Sequence, residues 1–153
     1  MSSIWVDLMG VDYRQTYIDA GGIRTRVIEA GSGPALIFLH GTGGHAEAYM
    51  RNIAAHAEHF HVYSIDMLGH GYTDRPDCDY TIDDFVDHLV KFIDAIGGEP
   101  VYLSGESLGA MVSSWTAIKY PEKVIKLVQN TGILMPPNAK GRAELSDALE
   151  RSR

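Results

Sequence analysis

The feature that most constrains the fold is the ten-residue stretch VYLSGESLGA at positions 101–110. Its opening apolar run, Val101 to Leu103, is typical of a buried strand, and the residues after Gly109 have helical character. Between them lies the pattern G-x-S-x-G, which indicates a nucleophile when a strand precedes it and a helix follows it. Gly105 and Gly109 flank Ser107 because a sharp turn brings strand and helix too close for a side chain. The stretch therefore predicts a strand–turn–helix unit with Ser107 at the turn.

A serine in such a turn is a candidate catalytic nucleophile. We expect the hydroxyl of Ser107 to be exposed at the edge of the sheet, with a helix N-terminus beneath it. The backbone N–H of the next residue, Leu108, is then free to stabilise an oxyanion. The alternative is an ordinary Gly/Ser turn without chemistry, and the strand and helix around the motif favour the catalytic interpretation.

Size, net charge and cysteine content limit the kind of protein this can be and the partners it can bind. The chain has 153 residues, about the size of one domain, and 20 acidic against 13 basic residues give a net charge of −7. This charge argues against a nucleic-acid partner. The single cysteine, Cys78, cannot form an internal disulfide, and the chain shows neither a signal peptide nor a membrane-length apolar run. We predict a cytoplasmic protein with a small-molecule substrate, no membrane partner and no cofactor.

Apolar runs and turn residues predict strands that alternate with helices. A hairpin is expected around Gly21-Gly22, followed by an α/β alternation that implies a mostly parallel sheet with helices on both faces. The predicted strands are 16–20, 23–30, 35–39, 61–66, 101–103 and 124–129, and the predicted helices are 47–60, 82–96 and a segment from 110 to before Pro121.

Several polar loops follow these strands directly. His40-Gly41-Thr42, Asp66-Met67, Ser107 and Thr131-Gly132 each stand at the carboxyl end of a predicted strand. Sites in parallel sheets form at the carboxyl ends of the strands, so we expect these loops to meet in one crevice.

Three motifs in this order resemble the α/β-hydrolase fold family: HGTG at 40–43, DMLGHG at 66–71 and GESLG at 105–109. The resemblance covers roughly residues 17–134. It implies that Ser107 is the nucleophile and that the N–H groups of Leu108 and Thr42 form the oxyanion hole. It further implies that His40 braces the oxyanion loop, while glycines support the two loops (Gly41, Gly43, Gly105 and Gly109).

Within the fold, the loop at 66–76 is similar to that of the meta-cleavage-product hydrolases, which cleave carbon–carbon bonds in aromatic catabolism. HGTG is similar to their HGSG, with Thr42 in place of serine. The chain departs from them at Gly44, where they commonly have proline, and at Ala48, where many have asparagine. A C–C hydrolase of vinylogous diketones and a carboxylesterase therefore both stay open.

The family's triad has the order Ser, acid, His. All seven histidines here precede Ser107 (His40, His45, His56, His59, His61, His70 and His88), so the acid and the base have no counterpart. His70 is the best local substitute, whereas residues 56, 59, 61 and 88 are interpreted as helix-surface or strand-edge histidines. The acidic group Asp83, Asp84 and Asp87 is expected to be a solvated helix face, and no metal site is predicted.

The resemblance also implies that these residues are the N-terminal portion of a larger hydrolase. Residues 1–135 would be the first part of the core domain and 136–153 the start of a lid insertion. Six strands against the family's eight leave 124–129 as an open apolar edge. We expect the chain to need the rest of the hydrolase, from the same or a second chain, with homo-oligomerisation as a further possibility. The alternatives are a non-catalytic binding protein on the same fold or an inactive fragment.

Overall fold

A six-stranded sheet forms the centre of the structure, a computed structural model that describes residues 3–132 and the helical positions Ala143, Asp147 and Glu150. The order of strands across the sheet is β1-β2-β4-β3-β5-β6. The pairs β1/β2 and β2/β4 are antiparallel, and the pairs β4/β3, β3/β5 and β5/β6 are parallel. The strands are β1 (Tyr13–Asp19), β2 (Arg24–Ala30), β3 (Ala35–Leu39), β4 (His61–Ile65), β5 (Val101–Glu106) and β6 (Val124–Asn130). The predicted α/β fold with a mostly parallel sheet is confirmed.

Three α-helices connect the parallel strands. They are α1 (Met50–Ala57), α2 (Ile82–Ala95) and α3 (Leu108–Lys119), and short 3-10 segments cover Ile4–Leu8, Ala46–Tyr49 and Pro121–Lys123. Thr81 caps α2 with Asp84 in a reciprocal capping box, as the sequence at this helix start favours.

The first two strands form the predicted hairpin. Its loop contains Gly21 and Gly22 at φ values of 65° and 90°, and the N–H of Ala20 donates to the carbonyl of Ile23 at 2.8 Å. Positive φ at both central positions is what a two-residue hairpin loop requires, which explains the Gly-Gly pair.

Both faces of the sheet are covered, as predicted. One core contains residues of α2 and α3, including Phe92 and Trp115, and the other contains residues of α1 and the first 3-10 segment, including Ile53 and Leu8. The packing therefore fixes the sheet between helices while its carboxyl edge stays available for loops.

The predicted helix at 47–60 differs from the observed one. The chain begins there as a 3-10 turn, Ala46–Tyr49, and α1 ends at Ala57. The N–H groups of His59 and Phe60 both turn back to the carbonyl of His56, so the chain leaves the helix before Phe60.

The edge strand β6 pairs with β5 and, among residues 3–132, with no other strand. Ile125 and Val128 on this strand are 47% and 56% exposed. The predicted lid segment, 136–153, lies outside the described residues apart from the three helical positions named above. Of the helices that are described, none is both long and apolar enough to cross a bilayer.

Candidate active site

Ser107 occupies the junction between β5 and α3 in a conformation that non-glycine residues rarely adopt. Its φ is 52° and its ψ is −112°, and the residue is exposed. Such a backbone costs on the order of 1–3 kcal/mol, and strain of this kind clusters at active sites. We call this turn, residues 105–109, the elbow; it holds the exposed Ser107 at the carboxyl edge of the sheet.

The two flanking glycines allow this turn because backbone atoms pass close to both. A Cβ at Gly105 would overlap the carbonyl of Gly109 and lie 2.5 Å from the nitrogen of Ala110. A Cβ at Gly109 would overlap the carbonyl of Leu39 and lie 2.7 Å from that of His40. Gly105 is therefore required by close packing within the elbow, and Gly109 by close packing between the elbow and the end of β3.

Hydrogen bonds tie the elbow to the strands on either side. The N–H of Ser107 donates to Asn130 at 3.1 Å, at the end of β6. The N–H of Gly109 donates to the carbonyl of His40, also at 3.1 Å, at the start of the HGTG loop. The predicted convergence of loops at the carboxyl ends of the strands is thus observed.

The loop at 40–44, which we call the oxyanion loop, lies directly against the elbow. A Cβ on Gly41 would lie 3.2 Å from the Cβ of Ser107. Gly44 closes a tight turn by donating its N–H to the carbonyl of Gly41 at 2.9 Å, with Gly43 at φ 74° inside the turn. The loop therefore passes close enough to present backbone N–H groups beside Ser107.

The backbone N–H groups of Thr42 and Leu108 are the predicted donors to an oxyanion. Within residues 3–132, neither Thr42 nor Leu108 donates its backbone N–H to a protein acceptor. Leu108 is the first residue of α3, where the N–H has no partner inside the helix. Their assignment as oxyanion donors stays a prediction, and so does the crevice expected where the loops meet.

His40 is a buried residue that connects the two loops of the site. Its Nε2 accepts the N–H of Met67 at 3.0 Å, so its Nδ1 carries the proton and donates to the carbonyl of Gly41 at 2.8 Å. Burial lowers the pKa of His40, which favours this neutral form. The ring therefore links the oxyanion loop to the loop after β4 and is not placed as a base for Ser107.

A buried charge cluster that the sequence analysis did not predict anchors the 3-10 segment that follows the oxyanion loop. Arg26 on β2 donates to both carboxylate oxygens of Glu47 and, at 3.3 Å, to Asp66; it also donates to Gln15 at 2.9 Å. Asp66 in turn accepts the N–H of Ala46 at 2.6 Å. Burial alone would raise the pKa of Glu47, but hydrogen bonds, chiefly from Arg26, lower it to about 2. Glu47 therefore stays charged opposite Arg26 at neutral pH.

No histidine among residues 3–132 is hydrogen-bonded to Ser107. His70, the local candidate, has its Nδ1 2.9 Å from the carbonyl of Leu68, and its ring packs 5.1 Å from that of His40. The structure therefore does not bring His70 and the nucleophile together.

The interpretation of His88 as a surface residue is wrong. Its side chain is buried beneath the sheet, with Nε2 2.7 Å from Oγ1 of Thr25 on β2. Burial lowers the pKa of His88 to about 4, so the ring is neutral in the folded protein. Its role is in the core and not at the candidate site.

The acidic residues of α2 have structural partners. Asp84 belongs to the capping box, Asp83 pairs with Lys119 at 2.6 Å, and Asp87 pairs with Lys91 at 2.7 Å. Across the described part of the chain, no three His, Cys, Asp or Glu side chains are grouped as metal ligands.

Comparison with known proteins places this geometry in a family. The α/β-hydrolase fold family matches residues 34–151. The chain is 37% identical over 120 residues to the 2-hydroxy-6-oxo-6-(2'-aminophenyl)hexa-2,4-dienoic acid hydrolase of Metapseudomonas resinovorans, covering 76% of this chain and 41% of that protein. It is 38% identical over 115 residues to the 2-hydroxymuconate semialdehyde hydrolase of Pseudomonas sp. strain CF600, covering 72% of this chain and 41% of the relative.

A solved structure agrees with these matches. The crystal structure of a serine hydrolase involved in carbazole degradation, the CarC enzyme, superposes with a TM-score of 0.76 at 34% identity, over 90% of this chain and 56% of that chain. The chain thus spans less than half the length of the two curated relatives named above. The matched motifs, the strand order and the strained serine turn agree, and the chain belongs to the α/β-hydrolase fold family.

Proposed function

We propose that this chain is the nucleophile-bearing part of a serine hydrolase that cleaves a carbon–carbon bond in vinylogous diketones of the meta-cleavage-product type. The similarity to hydrolases named for 2-hydroxy-6-oxo-dienoic acids and for 2-hydroxymuconate semialdehyde supports this substrate class. Hydrolysis of such a bond adds hydroxide from water to the acyl carbon and a proton to the other fragment.

The observation that carries the proposal is the conformation of Ser107. Its strained backbone, exposed side chain and position at the start of α3 are what a nucleophile needs and what an ordinary turn avoids. In the proposed reaction, Ser107 Oγ attacks the substrate carbonyl or positions the water that does so. The N–H groups of Leu108 and Thr42 would stabilise the resulting oxyanion.

A base and an acid must come from protein outside the described residues, because none of the described histidines reaches Ser107. We propose that the rest of the hydrolase, in the same or a second chain, supplies both and pairs with β6. The exposed Ile125 and Val128 on that edge support a covering element there. By "the complete hydrolase" we mean this chain together with that remainder.

Hydrolysis of a carboxylic ester is the second candidate reaction, because the same elbow and oxyanion loop serve acyl transfer from esters. The chain departs from the meta-cleavage-product hydrolases at Gly44 and Ala48, and these departures keep ester hydrolysis as an alternative. A non-catalytic binding protein would have no use for the strain at Ser107. We further propose a cytoplasmic location, which the lone exposed Cys78 supports.

The test compares the two reactions in the complete hydrolase. We expect a 2-hydroxy-6-oxo-2,4-dienoate to lose its conjugated absorbance with a higher kcat/KM than an aryl ester, and Ser107→Ala to abolish both reactions. A higher kcat/KM for the ester would assign the protein to the esterases. Turnover that survives Ser107→Ala would contradict the proposal, as would enzyme-like turnover by residues 1–153 alone.

A further inference from the structure

The residue before the nucleophile, Glu106, turns its carboxylate into the space that the oxyanion loop and the elbow share. A Cβ on Gly41 would overlap Glu106 Oε2 and would lie 3.2 Å from the Cβ of Ser107. The carboxylate and the nucleophile therefore flank the same glycine. Glu106 Oε1 also accepts a long hydrogen bond, 3.5 Å, from the hydroxyl of Thr131 after β6.

Among the described residues, the carboxylate of Glu106 has no cationic partner. No Lys, Arg or His within residues 3–132 forms an ion pair with it, and the residue is exposed at the carboxyl edge of the sheet. Its negative charge nevertheless acts on a buried group nearby, the hydroxyl of Tyr49. Burial of Tyr49 raises the pKa of its hydroxyl to about 12, with the negative charge of Glu106 as the second cause.

An unpaired carboxylate at this position can accept a hydrogen bond from a ligand and repels a ligand anion. We propose that Glu106 is a specificity-determining residue of the Ser107 site. Its carboxylate accepts a hydrogen bond from an N–H or O–H group attached next to the reacting carbonyl, and it disfavours substrates that carry an anionic group there. The preferred substrates are carbonyl compounds with a neutral donor substituent beside the scissile bond.

This inference rests on the proposed function, because it requires that a carbonyl reacts at Ser107. It applies to substituents adjacent to that carbonyl. A carboxylate at the far end of a conjugated chain is several bonds farther from the reacting carbonyl, so solvent and salt attenuate its repulsion by Glu106.

The experiment uses three 4-nitrophenyl esters of one acyl skeleton with the complete hydrolase: the 2-aminobenzoate, the benzoate and the 2-sulfobenzoate. For each enzyme, kcat/KM for the substituted esters is divided by that for the benzoate. In Glu106→Gln we expect the ratio for the sulfonate to rise about tenfold, corresponding to about 1.4 kcal/mol, and the ratio for the amine to fall. The rise should shrink at high salt, because a charge interaction near the surface is screened.

Glu122→Gln is the matched control. Glu122 is exposed at the opposite, amino end of β6, so this variant removes the same charge without approaching Ser107. Its three ratios should equal those of the wild type. Unchanged ratios in Glu106→Gln, with the wild type active, would overturn the inference and leave the proposed function intact. A wild type that neither turns over the esters nor reacts at Ser107 would overturn the proposed function itself.

Discussion

The backbone N–H of Gly109 donates to the carbonyl of His40 at 3.1 Å, so the first turn of α3 is bonded directly to the start of the oxyanion loop. This contact leaves no room for a side chain, since a Cβ at Gly109 would overlap the carbonyl of Leu39. The nucleophile turn and the loop that faces it are therefore positioned as one unit.

Gly109→Ala should destabilise the protein, although alanine is usually the better helix former by about 1 kcal/mol. The added methyl group has to push apart the backbones of α3 and β3, and overpacking of this kind costs about 1–3 kcal/mol. Urea denaturation of the variant and the wild type measures the difference. An unchanged or increased free energy of unfolding would show that the two backbones are not in contact.

Ser107→Gly should be more stable than Ser107→Ala. Glycine relieves the strain of φ 52° and ψ −112°, whereas alanine keeps the Cβ that causes it. In an unstrained position glycine would be the less stable of the two by about 0.5–1 kcal/mol, so the expected gain of about 1 kcal/mol reverses the usual sign. Both variants lack the hydroxyl, which makes them a matched pair for denaturation. A more stable alanine variant would contradict the observed backbone.

His88 should make stability depend on pH. The pKa of its ring is lowered from 6.5 to about 4 in the folded protein, so the unfolded chain binds the proton first as pH falls. The stability present above pH 6.5 is therefore lost as pH falls from 6.5 towards 4, by up to about 3 kcal/mol.

The variant His88→Gln keeps a hydrogen-bonding group for Thr25 but does not titrate. Its free energy of unfolding should change less between pH 7 and pH 4 than that of the wild type, with carboxylates contributing equally to both. Parallel pH profiles for the two proteins would show that His88 is not buried as a neutral ring.

Substitutions of Thr42 test whether its backbone N–H stabilises the oxyanion. Thr42→Pro removes the backbone N–H, and the loss of one oxyanion donor typically lowers kcat on the order of 10²–10³-fold. Thr42→Ser keeps the N–H and should have a much smaller effect on kcat in the complete hydrolase. Equal losses in the two variants would mean that the threonine side chain matters and the amide does not.

The elbow and the alternation of strands and helices along the chain were predictable because their signals are local. Gly105, Ser107 and Gly109 lie within five residues, and each strand of the parallel sheet contains a short run of apolar residues. The burial of His88 could also have been predicted from helical spacing. The residue lies three positions after Phe85 and four before Phe92, on the apolar face of α2.

The charge cluster around Arg26 could not be predicted in the same way. It joins Arg26 on β2 to Glu47 and Asp66, which are 21 and 40 residues away in the sequence. Because side chains alternate between the two faces of a strand, Arg26 is also expected on the same face as the exposed Arg24. Burial of an arginine depends on where its partners fold, and this information is absent from the local pattern. The first 3-10 segment was missed for a related reason, since Leu8 is buried in a cluster made mostly of residues that are distant in the sequence.

The most direct test of the account is covalent labelling of the complete hydrolase with a fluorophosphonate, followed by mass spectrometry of its peptides. We expect one modified serine, Ser107, because the strained turn exposes this residue and the N–H groups of Leu108 and Thr42 are the predicted oxyanion donors. Ser107→Ala should then carry no label. A label on another serine, or labelling that persists in Ser107→Ala, would contradict the assignment of Ser107 as the nucleophile.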